Sequence, residues 1–119
     1  MNEETIRIAS VVGNNLCIAS DDGEKVHEAI VAALENGRRV RLSFEGVEDL
    51  TSAFLNTAVG QLYGEFSEER LKSAMLPPVD ISSDDLFLLK RVVERAKEFF
   101  SDPERYRQAA REALGDDDE

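Results

Sequence analysis

Two adjacent hydroxyls, Thr51 and Ser52, open an apolar-periodic segment directly after the turn residues Glu45-Gly46-Val47 and the acids Glu48 and Asp49. The first amides of a helix have no partners inside it, and the helix dipole favours negative charge at that end. A hydroxyl placed there has two uses. It can cap the helix by accepting from those amides, which is worth about 0.5–2 kcal/mol. Alternatively it can accept a phosphate, which adds about −1.5 to −2 charge close to the same donors. With Thr51 or Asp49 as the cap, Ser52 falls in the first turn. Glu45, Glu48 and Asp49 would then repel the added phosphate, so modification would work by disrupting an acidic docking face. Ser52, with Thr51 beside it, is the phosphorylation candidate.

The other residues with chemical potential stand alone. His27 is the only histidine and lies mid-helix beside Lys25 and Glu28. Without a cluster to make it a ligand or a base, it is expected at the surface. Cys17 is the only cysteine and sits between Leu16 and Ile18. It is expected to be buried and inert, because no neighbouring base would lower its pKa. Asp21, Asp22 and Glu24 lack the loop length and ligand number of a calcium loop and read instead as helix-capping acids. The chain has no Gly-rich phosphate loop, no Ser/His/Asp set and no pair of carboxylates in a recognisable pocket. A non-catalytic protein with no metal and no cofactor is therefore expected.

The elements that would position these residues follow from periodicity. Residues 5–12, with Ile6, Ile8, Val11 and Val12, read as a strand, and Gly13-Asn14-Asn15 as a turn. Residues 16–18 read as a second strand paired back on the first. Val26, Ala29, Ile30, Ala33 and Leu34 keep helical spacing up to Asn36-Gly37, where Gly37 suits a left-handed terminus. Residues 39–44 alternate, with Val40, Leu42 and Phe44 on one face and Arg39, Arg41 and Ser43 on the other. Coming after a crossover helix, this strand should run parallel to the strand before it. Residues 45–50 read as a connection, and residues 51–66 as one helix with Phe54, Leu55, Ala58, Val59, Leu62 and Phe66 inward. Gly60 and Gly64, four apart, suggest close helix packing. Ser67 caps a short helix. Pro77-Pro78 confines any strand in 74–81 to an edge. Ser82 caps the longest helix, whose buried stripe includes Leu89, Val92, Val93 and Ala96. Pro103 at a first helical position starts a final helix to about residue 115, and the acidic residues 116–119 read as a disordered tail. The fold class is α/β, a small mixed sheet packed by helices with an added C-terminal helix. The division is 1–102, 103–115 and 116–119.

Composition limits the partners. Of 119 residues, 42% are hydrophobic, enough for one core. Twenty-five acids against 14 bases give a net charge of −11, which argues against nucleic acid or an anionic membrane as the main partner. No apolar run approaches the roughly 20 residues of a membrane-spanning helix. The acidic N-terminus does not read as a signal peptide, and one cysteine allows no internal disulfide, so a cytoplasmic setting is expected.

Over residues 40–62 the sequence resembles the STAS domain family, which includes the bacterial anti-sigma-factor antagonists, and more closely its STAS-like relatives of unassigned function. The STAS-like pattern Asp-Phe-x-Gly-Val followed by Thr-Ser-Ser-Phe-Leu is met at Phe44, Gly46, Val47, Thr51, Ser52, Phe54 and Leu55. Against the antagonists, Thr51 stands where aspartate is usual, Ala53 replaces a second hydroxyl, Phe54 replaces glycine, and Ser43 stands at another aspartate position. The resemblance implies a regulatory module that docks on a protein partner, such as a GHKL-type ATPase or kinase. By position, Ser52 is the serine whose phosphorylation breaks that contact. The expected contact residues are Glu45, Gly46, Glu48, Asp49, Phe54 and Leu55. Two alternatives are a structural or assembly subunit in a phage-defence or mobile-element cassette, and a nucleotide-type small-molecule sensor. In the first, residues 103–119, with Tyr106, Ala109, Ala110, Ala113 and Leu114, pack on a second copy to give a homodimer. The second uses a pocket between sheet and helix.

Overall fold

The computed structural model describes residues 2–101. The expected final helix and acidic tail lie outside them. Among the described residues, four strands and five α-helices follow in the order β1 (Glu3–Arg7), α1 (Ile8–Val12), β2 (Leu16–Cys17), α2 (Ser20–Glu35), β3 (Arg39–Ser43), β4 (Asp49–Leu50), α3 (Ser52–Ala58), a 3-10 helix (Gly60–Gly64), α4 (Glu68–Ala74) and α5 (Ser83–Ser101). This is the expected α/β architecture.

β3 lies at the centre. It pairs in parallel with β1, from Glu3 opposite Arg39 to Arg7 opposite Ser43. On its other side are single parallel bridges from Val40 to Met75 and from Ser43 to Val79. Pro77 and Pro78, which have no N–H to donate, separate those bridges, so the edge never becomes a full strand. Ile6, Val40 and Leu42 are buried, whereas Thr5, Arg39 and Arg41 stay partly or fully exposed. The helices therefore cover one face of the sheet. Phe54, Leu55, Leu62 and Leu71 from the helical layer are buried against Ile30 and Leu34 of α2 and the inward residues of the sheet.

Four elements differ from the sequence reading. Residues 5–12 are not one strand: β1 stops at Arg7 and α1 follows. Ile8, Val11 and Val12 are spaced i, i+3, i+4, so the same β-branched residues satisfy a helical period, with Ile8 and Val12 buried. Gly13, at φ 81, ends this turn. β2 does not fold back on β1, from which α1 separates it. Instead β2 runs parallel to β4, in the stretch read as a connection, with Leu16 opposite Asp49 and Cys17 opposite Leu50. β3 is indeed parallel to an earlier strand, but that strand is β1, not β2. Finally, residues 51–66 do not form one helix. α3 ends at Ala58, and the 3-10 helix continues from Gly60. A Cβ on Gly60 would lie 3.6 Å from Val92 Cγ1, and one on Gly64 would lie 2.7 Å from the Phe100 ring, so both glycines admit α5 closely, as their spacing suggested.

The caps divide between expectation and correction. Ser67 Oγ accepts from Arg70 N, and Ser82 Oγ accepts from Asp85 N, each at 3.1 Å. Gly37 has φ 73 just beyond α2. α2, however, starts after Ala19 without a side-chain cap, leaving Asp21 and Asp22 as first-turn acids that favour the dipole.

Candidate functional site

Thr51 sits where β4 becomes α3. Its Oγ1 accepts from Phe54 N at 3.1 Å and donates to Ile18 O at 2.7 Å. One hydroxyl thus caps α3 and ties it to the end of β2. The neighbouring bonds from Thr51 N to Cys17 O (3.2 Å) and from Glu48 N to Asn15 O (2.9 Å) complete that seam. Since Thr51 is the cap, Ser52 is the first helical residue. It is exposed, and its hydroxyl makes no hydrogen bond among the described residues.

The acidic turn beside it is open to solvent. Glu45, Gly46, Glu48 and Asp49 are all exposed. Gly46 adopts φ 83, a left-handed conformation that strains other residues. Glu45 pairs with Arg7 at 3.4 Å, and Asn15 donates to Glu48 at 3.4 Å. Phe54 and Leu55 do not join this surface. Both are fully buried, anchoring α3 in the core, and the expected contact set loses them.

Sequence reasoning missed two exposed apolar residues. Leu16 and Ile18 are 41% and 44% exposed, on either side of fully buried Cys17. Alternation along extended chain turns Cys17 inward and its neighbours Leu16, in β2, and Ile18, just after it, outward. Three apolar residues in a row carry no polarity contrast, so the sequence could not say which would face out. Leu16 lies opposite Asp49 of the acidic turn, and the Ile18 carbonyl accepts from the Thr51 hydroxyl at the start of α3. Burial pushes the Cys17 thiol above its ordinary pKa, and the nearby Asp22 carboxylate adds to this. Cys17 is thus the buried, unreactive thiol expected.

Ser43, at the end of β3, is almost fully buried. Its hydroxyl donates to Asp80 Oδ2 at 3.3 Å and accepts from Glu45 N at 3.3 Å. Asp80, at φ 56, is the one non-glycine with positive φ among the described residues. A carboxylate therefore reaches the end of β3 from the edge segment rather than from β3 itself.

Over residues 22–80 the chain matches a family model described as a STAS-like domain of unknown function. The chain carries a STAS-like domain. The matched stretch runs from α2 through β3, the acidic turn and α3 to Asp80, so it contains Thr51 and Ser52. No curated protein and no solved structure matches the chain.

Elsewhere in the STAS-like domain, His27 departs from its expected surface position. Its side chain is 15% exposed, with Nε2 3.1 Å from both carboxylate oxygens of Glu65, so it joins α2 to the residue after the 3-10 helix. The space between sheet and helices is a cavity of about 140 Å³ bounded by Leu42, Leu62, Met75, Leu89 and Val93. It is close to the size of a cavity that holds benzene, and no charged side chain lines it. No group of three or more His, Cys, Asp or Glu suited to a metal occurs among the described residues. None of their helices is long and apolar enough to cross a membrane.

Proposed function

We propose that this STAS-like protein is a non-catalytic regulatory module that docks a protein partner through the acidic turn, the start of α3 and the exposed side chains of Leu16 and Ile18. The partner is an ATPase or kinase of the GHKL type, and Ser52 is the switch. The observation that carries this reading is the unengaged, exposed Ser52 hydroxyl at the first position of α3, directly after the Thr51 cap. Capping does not explain Ser52, because Thr51 already supplies the cap.

The chemistry of the switch is electrostatic. A contact built on Leu16 and Ile18 gains from burying apolar surface, while Glu45, Glu48 and Asp49 set the charge of its rim. A phosphate on Ser52 adds about −1.5 to −2 charge to that rim. An acidic partner face is then repelled, and a closely fitted one must desolvate a dianion.

Replacing Leu16 and Ile18 by Asp tests the surface. Both side chains are exposed, so each single variant should keep the fold, within about 0.5–1 kcal/mol of the parent. Binding to the partner should fall at least tenfold. Undiminished binding by both variants would remove Leu16 and Ile18 from the interface.

A further inference from the structure

We propose that a second site, the arginine-lined cleft between the end of α2, the start of β3 and the end of α4, binds a phosphate-bearing small molecule. The cleft measures about 350 Å³ and is lined by Arg38, Arg39, Arg70 and Ser73 above an apolar floor from Leu34 and Ala74. That volume lies within the range of small-molecule sites.

Three guanidinium groups around one cleft are unexpected in a chain of net charge −11. Two have partners. Arg38 Nη1 donates to Glu4 at 2.9 Å. Arg70 Nη2 donates to Leu34 O at 2.9 Å, and its guanidinium lies 4.8 Å over the Phe66 ring. Arg70 thereby neutralises the α2 terminus and still keeps four N–H donors. Arg39 makes no ion pair among the described residues, and its Nε is buried without an acceptor. An orphaned N–H is costly in the empty protein. Turning the guanidinium so that Nε–H and one Nη–H meet two oxygens of a phosphate relieves that cost and uses the geometry in which arginine holds phosphate best. The Ser73 hydroxyl is held only by bonds of 3.3 and 3.4 Å to carbonyls of its own helix, so it can exchange them for a phosphate oxygen. The aliphatic floor suits the organic part of the ligand.

Arg39 begins β3 and Ser43 ends it, about 13 Å apart at roughly 3.3 Å per residue, so the cleft and the acidic turn that follows Ser43 lie at opposite ends of this strand. The test is a titration followed by nuclear magnetic resonance of the arginine Nε–H groups, with inorganic phosphate and adenosine monophosphate as probes. The expected result is saturable shifts at Arg39 and Arg70 with both probes. Binding should weaken at least tenfold in Arg39→Gln and stay unchanged in Arg95→Gln, which removes the same charge from α5. Should Arg39→Gln fail to fold, Arg39→Lys keeps the charge but loses the fork, and should bind several-fold more weakly. Shifts that rise without saturation across all arginines, or equal binding by the parent and the Arg39 variant, would overturn the proposal.

Discussion

At the scale of single residues, Thr51 and Ser52 look interchangeable in sequence, yet the fold gives them different work. Thr51 commits its hydroxyl to two bonds, accepting from Phe54 N and donating to Ile18 O. Thr51→Val keeps the shape but loses both, and should cost about 1–2 kcal/mol in chemical denaturation. Ser52→Ala loses no bond and should lie within about 0.5 kcal/mol of the parent. If Ser52→Ala were the more damaging change, Ser52 would be the true cap and would not be free for modification. That two hydroxyls stood at a helix start was legible from the apolar stripe after them. Which one capped was not, because it depends on the seam between β2 and β4, formed by residues more than 30 positions apart.

The elements divide in the same way. α2, β3, α5 and the caps at Ser67 and Ser82 were readable because a clear period met a clear stop signal. β4 was not, being two residues long and held by pairing to β2 rather than by its own pattern. The strand-to-helix change at Ile8 was hidden because β-branched residues at i, i+3 and i+4 suit either state. Gly23 gave no signal as a packing residue, since a glycine in a helix reads only as a weak point. In the structure a Cβ there would lie 2.6 Å from Phe54 O, so α2 and α3 touch backbone to side-chain position. Gly23→Ala should therefore destabilise the protein by about 1–3 kcal/mol despite its better helix propensity. Gly60→Ala meets only ordinary contacts at 3.6–3.8 Å and should change stability by less than about 1 kcal/mol. Equal melting temperatures for Gly23→Ala and the parent would mean that α2 and α3 do not approach this closely. The same crossing fixes the direction of α3, and with it the exposure of Ser52.

At the scale of the described fold, one core joins both small sheets to the helical layer, and Cys17 is fully buried within it. Burial raises the Cys17 pKa, and burial with Glu68 nearby raises that of Tyr63. The folded state then keeps these protons at pH values where the unfolded chain has lost them. Their contribution to stability is full below the unfolded thiol value of about 8.5 and is lost as pH rises through the raised folded value. Stability should decline above about pH 8.5, and Cys17→Ala should flatten the first part of the decline, before tyrosine ionises near pH 10. Denaturation midpoints from pH 7 to 10.5 measure this. An identical slope in the variant would mean that Cys17 is not held as a buried thiol.

The partner-docking account turns on Ser52, and paired affinity capture from the native cell extract tests it most directly. Parent and Ser52→Glu baits would be compared by quantitative mass spectrometry, with Ser52→Ala as the control for lost hydroxyl. The account predicts an ATPase or kinase captured by the parent and Ser52→Ala proteins and lost with Ser52→Glu. The same partner held equally by all three baits would contradict the switch.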